Sequence, residues 1–271
     1  MKALTAFASA AAVAIALSAA SAPAHAAVFA QFSPGNSKMD YRWIKSGGVG
    51  PTAGTGGHFF SITPTTQNAT TAQAVNVSFS YLDPALSALA FLPAKFTIDA
   101  NVTNSLAHVA SKNSSGIFTQ TNVDGHFNFI FSGATGVYGG HLLTNGVTNL
   151  LSGVFTNAWI QGGGGSGSTN VAVGNGGSAS YTSDIEHFAH LIPGTQEFAF
   201  NLLAAQFGAV GCPVAGGTCT KALNSFRANG GGNFSFLASA PEPATWGLMM
   251  VGFGGLGMVL RNRRRTAIAR A

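Results

Sequence analysis

The sequence predicts an all-β protein: a β-sandwich or jelly-roll-like body held between two processing segments. Three observations point there. Stretches such as Val75-Asn-Val-Ser-Phe-Ser-Tyr81 and Lys95-Phe-Thr-Ile-Asp-Ala-Asn-Val102 alternate apolar and polar residues with a period of two, which turns one face of a strand toward a core. Clusters of Gly, Asn and Ser separate a series of such stretches, the spacing expected of a sandwich or barrel. Charged residues make up only 8% of the 271 residues, yet there are 21 Phe and 36 Gly. That much aromatic surface belongs to a packed chain, not a disordered one.

The chain opens on Met1-Lys2, an apolar run at 6–17 and the triplet Ala24-His25-Ala26. A basic start, a short apolar core and an A-x-A exit make a signal peptide. Residues 1–26 are therefore expected to be read by the Sec machinery and cut by signal peptidase after Ala26, with Ala24 and Ala26 as the small residues of the site. The body, 27–240, is long enough for one domain with a substantial core.

Within the body, short apolar pieces at 28–32 and 41–44 precede a loose glycine stretch at 47–57, and a strand follows at 58–62. Between the two alternating stretches, Asp83 can cap a short helix, Pro84 suits its first position and Pro93 ends it. Further strands are expected at 150–160, 171–173, 178–185, 197–203 and 233–238, with a low-complexity glycine loop at 162–168. One pattern occurs twice, Asn122-Val-Asp-Gly125-His-Phe127-Asn-Phe129 and Asn229-Gly-Gly-Gly232-Asn-Phe234-Ser-Phe236. The expectation is a turn supplied by Asn and Gly, with the aromatics on one face of the outgoing strand.

Charge excludes one class of partner. The body holds seven cations (Lys38, Arg42, Lys45, Lys95, Lys112, Lys221, Arg227) and seven anions (Asp40, Asp83, Asp99, Asp124, Asp184, Glu186, Glu197), so it is formally neutral. The excess positive charge lies in Lys2 and in the arginines after Leu260. A nucleic-acid binder carries its cations on the folded domain, so nucleic acid is not an expected partner. The only cysteines, Cys212 and Cys219, flank a Pro/Gly loop. In an exported chain such a pair reads as a disulfide, contributing about 2.5 kcal/mol by chain entropy. A metal or redox pair is the alternative reading, but the spacing is not C-x-x-C.

Catalytic patterns are sparse. In Glu186-His187-Phe-Ala-His190 a helix would bring the histidines to one side and a strand would separate them, and the order is not the H-E-x-x-H of a metal protease. Ser183 and Glu186 have capping-box spacing. Asp184 and Glu186, two apart, could share a strand face as an acid–base pair or as calcium ligands, but no further oxygen-rich segment accompanies them. No serine lies in G-x-S-x-G and no Gly-Lys-Ser/Thr follows the glycine loop. Asp40, Asp83, Asp99 and Asp124 read as solvated positions. No cofactor and no metal is expected, and the body reads as non-enzymatic. Two alternatives stand beside this: a carbohydrate-binding module or adhesin using the Asn/Thr surface with exposed Trp43 and Trp159, and a hydrolase using Asp184 and Glu186.

The C-terminus, 241–265, is ordered differently. Pro241 and Pro243 make an extended stub that presents Glu242. Residues 244–260 are apolar and span about 25 Å as a helix, close to the minimum for a bilayer. Trp246 suits the outer interface, and Arg261, Arg263, Arg264 and Arg265 form a positive-inside stop. Pro241-Glu242-Pro243-x-x-Trp246, with Gly252-Phe253-Gly254 and the arginines, resembles the PEP-CTERM sorting signal of Gram-negative bacteria in its PEPxxWA variant. Gly247 stands where Ala is usual, and Asn262 interrupts the arginines. The resemblance implies transient residence in the inner membrane, recognition by exosortase (a membrane-embedded cysteine transpeptidase), and delivery to the cell envelope or an extracellular polysaccharide matrix. The segments Asn149-Leu-Leu-Ser-Gly-Val-Phe-Thr-Asn-Ala158 and Ser225-Phe-Arg-Ala-Asn-Gly230 also resemble other exported β-proteins with this tail, a likeness that implies no activity.

Overall fold

The computed structural model describes residues 26–35, 38–47, 49–164, 168–174, 176–186, 196–205 and 207–237. Its strands are β1 (Ala26–Pro34), β2 (Tyr41–Lys45), β3 (Gly57–Ser61), β4 (Val75–Tyr81), β5 (Leu92–Val102), β6 (Ser111–Lys112), β7 (Ile117–Phe131) and β8 (Gly136–Tyr138). They continue with β9 (His141–Leu143), β10 (Asn149–Gly163), β11 (Ser168–Gly174), β12 (Ala179–Thr182), β13 (Glu197–Ala205), β14 (Gly217–Thr218) and β15 (Phe226–Leu237). The leader residues up to 25, including Ala24, and the whole sorting segment from Pro241 lie outside the described residues. Among the described residues no helix is long and apolar enough to cross a membrane.

The all-β expectation holds, but the body is not built from two separate sheets. Thirteen strands join in one antiparallel sheet, and β8 with β9 forms a small hairpin. The ladder closes on itself: β1 pairs β4, β4 pairs β5, β5 pairs β7, and β7 pairs β10. It continues through β11, β13 and β15, and β15 returns to β1. That ring has eight strands, the number whose interior is just filled by side chains. Three long strands share an edge between two partners. β5 pairs β4 near its start and β3 near its end, β15 pairs β2 and then β1, and β10 pairs β12 and then β11.

The interior is aromatic. Phe32 lies 5.0 Å from both Phe96 and Phe129 and meets Phe200 edge-on at 5.4 Å. Phe127 lies 5.0 Å from Phe234, and Phe155 lies 4.8 Å from Phe198. Glycine makes room for these rings. Gly153, Gly174 and Gly232 stand directly opposite Phe127, Trp159 and Phe200 across their ladders. A Cβ at each would come within 2.3–2.5 Å of a ring carbon. A ring laid over a facing glycine restores the packing that the glycine lacks.

The outward positions of β5 are polar. They are Lys95, Thr97, Asp99 and Asn101, while Phe96, Ile98, Ala100 and Val102 are buried. Apolar-in and polar-out is the reverse of the alternation that lipid demands of a membrane barrel.

Several local expectations are corrected. The helix is a single 3₁₀ stretch, Pro84–Leu89, capped as expected by Asp83, whose carboxylate accepts from Ala85 N at 2.8 Å. Pro93 does not terminate it but lies inside β5; it favours an extended Leu92, so the helix stops earlier. Neither copy of the repeated pattern is a hairpin turn. Asn122 (φ 58°) and Asn157 (φ 54°) occupy opposed bulges in the continuous β7–β10 pair, where one extra residue on each strand needs a left-handed conformation that Asn tolerates. Asp124 ties them by accepting from Asn157 N at 2.7 Å. The glycines of the second copy run through β15, where a Cβ on Gly230 would sit 2.0 Å from the Asn201 carbonyl oxygen. Asp40 is buried, not solvated.

Candidate functional site

Local sequence dictates the geometry at 183–186. β12 ends at Thr182, and the Ser183 hydroxyl accepts from Ile185 N (2.9 Å) and Glu186 N (3.1 Å), the serine half of a capping box. The turn is fastened to the start of β10 by a reciprocal pair: Asp184 N donates to Asn149 O at 2.9 Å, and Asn149 N donates to the Asp184 carboxylate at 2.7 Å. Behind it, the Tyr81 hydroxyl donates to the Leu150 carbonyl and lies 2.9 Å from Ser183 Oγ. Burial pushes the Tyr81 pKa well above the ordinary tyrosine range.

Asp184 is exposed and Glu186 half-buried, and the Asp184 carboxylate works as a clasp between two backbone segments. His187 and His190 lie outside the described residues. Among the described residues no group of three His, Cys, Asp or Glu is arranged to hold a metal. Cys212 and Cys219 form a disulfide, with Cα atoms 4.0 Å apart.

The two tryptophans do not form a binding platform. Trp43 is fully buried and donates through Nε1 to the Leu223 carbonyl at 3.0 Å. Trp159 is half-buried against Gly174. The threonines of the 63–66 turn bond one another, Thr63 Oγ1 to Thr66 Oγ1 at 2.6 Å. On the outer face of β3, β5 and β7, His58 Nε2 lies 2.9 Å from Asp99, which is opposite His126 in register.

A further concavity lies elsewhere on the body. A groove of about 650 Å³ crosses the outer face of β10, β11, β13 and β15. Its polar lining comes from side-chain amides: Gln161, Asn170, Asn201 and Asn229. Among the described residues no charged and no aromatic side chain lines it. Sequence reasoning missed this site because each amide sits on a different strand, so no local motif records it.

The comparisons speak to the C-terminus. The PEP-CTERM protein-sorting motif matches residues 239–265, and no curated protein and no solved structure matches the chain. The class is thus an exported protein of the Gram-negative cell envelope route, with an all-β body and a C-terminal address. The address matches the PEP-CTERM protein-sorting motif, which supports sorting by exosortase.

Proposed function

We propose that this protein is a non-enzymatic component of the cell envelope or extracellular polysaccharide matrix. It would be exported through Sec, held briefly in the inner membrane by residues 244–260, and released from the arginine-flanked tail by exosortase. The observation that carries this reading is the sorting motif at 239–265. The body supports it by what its side chains are occupied with: Asp184 clasps Asn149, Asp124 bridges the bulges, and Asp99 faces His58. These carboxylates make local contacts within the sheet and its turns.

The experiment is processing and localisation of the full chain with Glu242→Ala beside wild type. The expected outcome is an uncleaved variant retained with the membrane fraction while wild type reaches the envelope or medium; identical processing of both would sink the reading. A second role, binding to the matrix polysaccharide, is favoured by one observation, the uncharged amide groove.

A further inference from the structure

We infer that the groove over β10, β11, β13 and β15 is a binding site for an extended, neutral polysaccharide chain. This deepens the matrix reading above and rests on it for the presence of such a polymer. Gln161 stands opposite Ala172, Ala172 opposite Asn201, and Asn201 opposite Gly231, which makes one outward row across four strands. The next row runs Asn170, Leu203, Asn229 across three of the same strands. Amides therefore alternate with small or apolar residues in both directions, and the two rows are staggered by one strand.

Amides in the same row are two strands apart, about 10 Å at the usual strand spacing. That is the length of a disaccharide. Asn170 and Asn201, on the two central strands, are exposed, and their side chains bond no described residue. Each such amide offers one acceptor oxygen and a two-hydrogen donor, a match for neighbouring hydroxyl groups that both donate and accept. Ala172 keeps the floor low, and Leu203, which is 48% exposed, gives an apolar contact for the C–H face of a sugar ring.

Other occupants fit less well. An anionic polymer or a nucleic acid would find no cation among the described lining residues, although phosphate or carboxylate recognition needs one. A peptide adding itself as a strand would need a free sheet edge; β11 is paired on both sides, to β10 and β13, and β13 to β11 and β15.

The test uses the full chain in detergent micelles and affinity electrophoresis through gels containing a neutral glucan, a neutral galactan or anionic alginate. Wild type is expected to be retarded by at least one neutral polymer and not by alginate. The double substitution Asn170→Ala/Asn201→Ala is expected to weaken that retardation about tenfold or more, the sum of two hydrogen bonds. Ala172→Phe, which fills the groove, should abolish it. Both variants should keep the wild-type unfolding midpoint, since the altered side chains face solvent. Retardation by neither neutral polymer, retardation by alginate alone, or variants retarded like wild type would overturn the inference. Each of these results leaves the Glu242→Ala sorting experiment unaffected, so failure of the groove and failure of the matrix reading are read separately.

Discussion

The two faces of the same strands obey different rules. On β5 and β7 the inward residues Phe96, Phe127 and Phe129 are almost fully buried against one another, and Phe127 also lies over Gly153. The outward residues Lys95, Asp99 and His126 meet only neighbours on the surface, and the His58–Asp99 contact at 2.9 Å is about a quarter to a third exposed. Inside, shape decides: a ring fits because a Cβ is missing. Outside, chemistry is spread thinly, and no position constrains more than the next. A body built this way places its stability in the lumen and leaves its surface open to recognition.

Removing a ring tests the inner rule most severely. Phe129 is fully buried and lies 4.6 Å from Phe96 and 5.0 Å from Phe79. Phe129→Ala should cost about 3–5 kcal/mol, because the surrounding strands cannot collapse into the space. Urea unfolding measures it, and a loss under about 1 kcal/mol would mean that the lumen is not close-packed.

A gentler perturbation is alkaline pH. Burial raises the pKa of Tyr41, Tyr81 and Tyr181 above the ordinary tyrosine value, with Asp40 and Glu197 adding to the effect at Tyr41 and Tyr181. The folded state therefore keeps protons that the unfolded chain releases. The stability involved is fully present below the unfolded pKa of about 10 and falls as pH rises above it, by up to about 1.4 kcal/mol per pH unit for each tyrosine. Stability measured between pH 8 and pH 11 should be flat and then drop, with a shallower fall in Tyr181→Phe.

The smallest effect belongs to the outer face. His58→Ala removes a half-exposed contact with Asp99 and should change stability by less than about 1 kcal/mol. A loss comparable to that of Phe129→Ala would erase the distinction between the faces.

Much of the inner face was legible in the sequence. Val75, Val77, Phe79 and Tyr81, and then Phe96, Ile98, Ala100 and Val102, alternate because a strand with one buried face must, and all eight are buried. Closure of the ring was not legible. It depends on pairs such as Ala26 with Leu237, and nothing local to either residue records so distant a partner. The Asn122 pattern misled for a chemical reason: a left-handed Asn serves a bulge inside a strand as well as it serves a turn. Asp40 read as a solvated residue, since its burial depends on neighbouring segments that no local pattern records. The groove escaped because four amides on four strands leave no contiguous string. The sorting signal was legible for the opposite reason: its residues follow one another along the chain.

The pairing of β1 with β15 also governs timing. A chain emerges N-terminus first, so its first strand must wait about two hundred residues for the partner that seals it. Until β15 arrives, β1 can pair only with β4, and the lumen stays open along one seam. Contacts of such long separation make folding slow. The last strand to be made is followed almost at once by the sorting signal at 239–265. The sorting motif is therefore synthesised just after the strand that closes the ring.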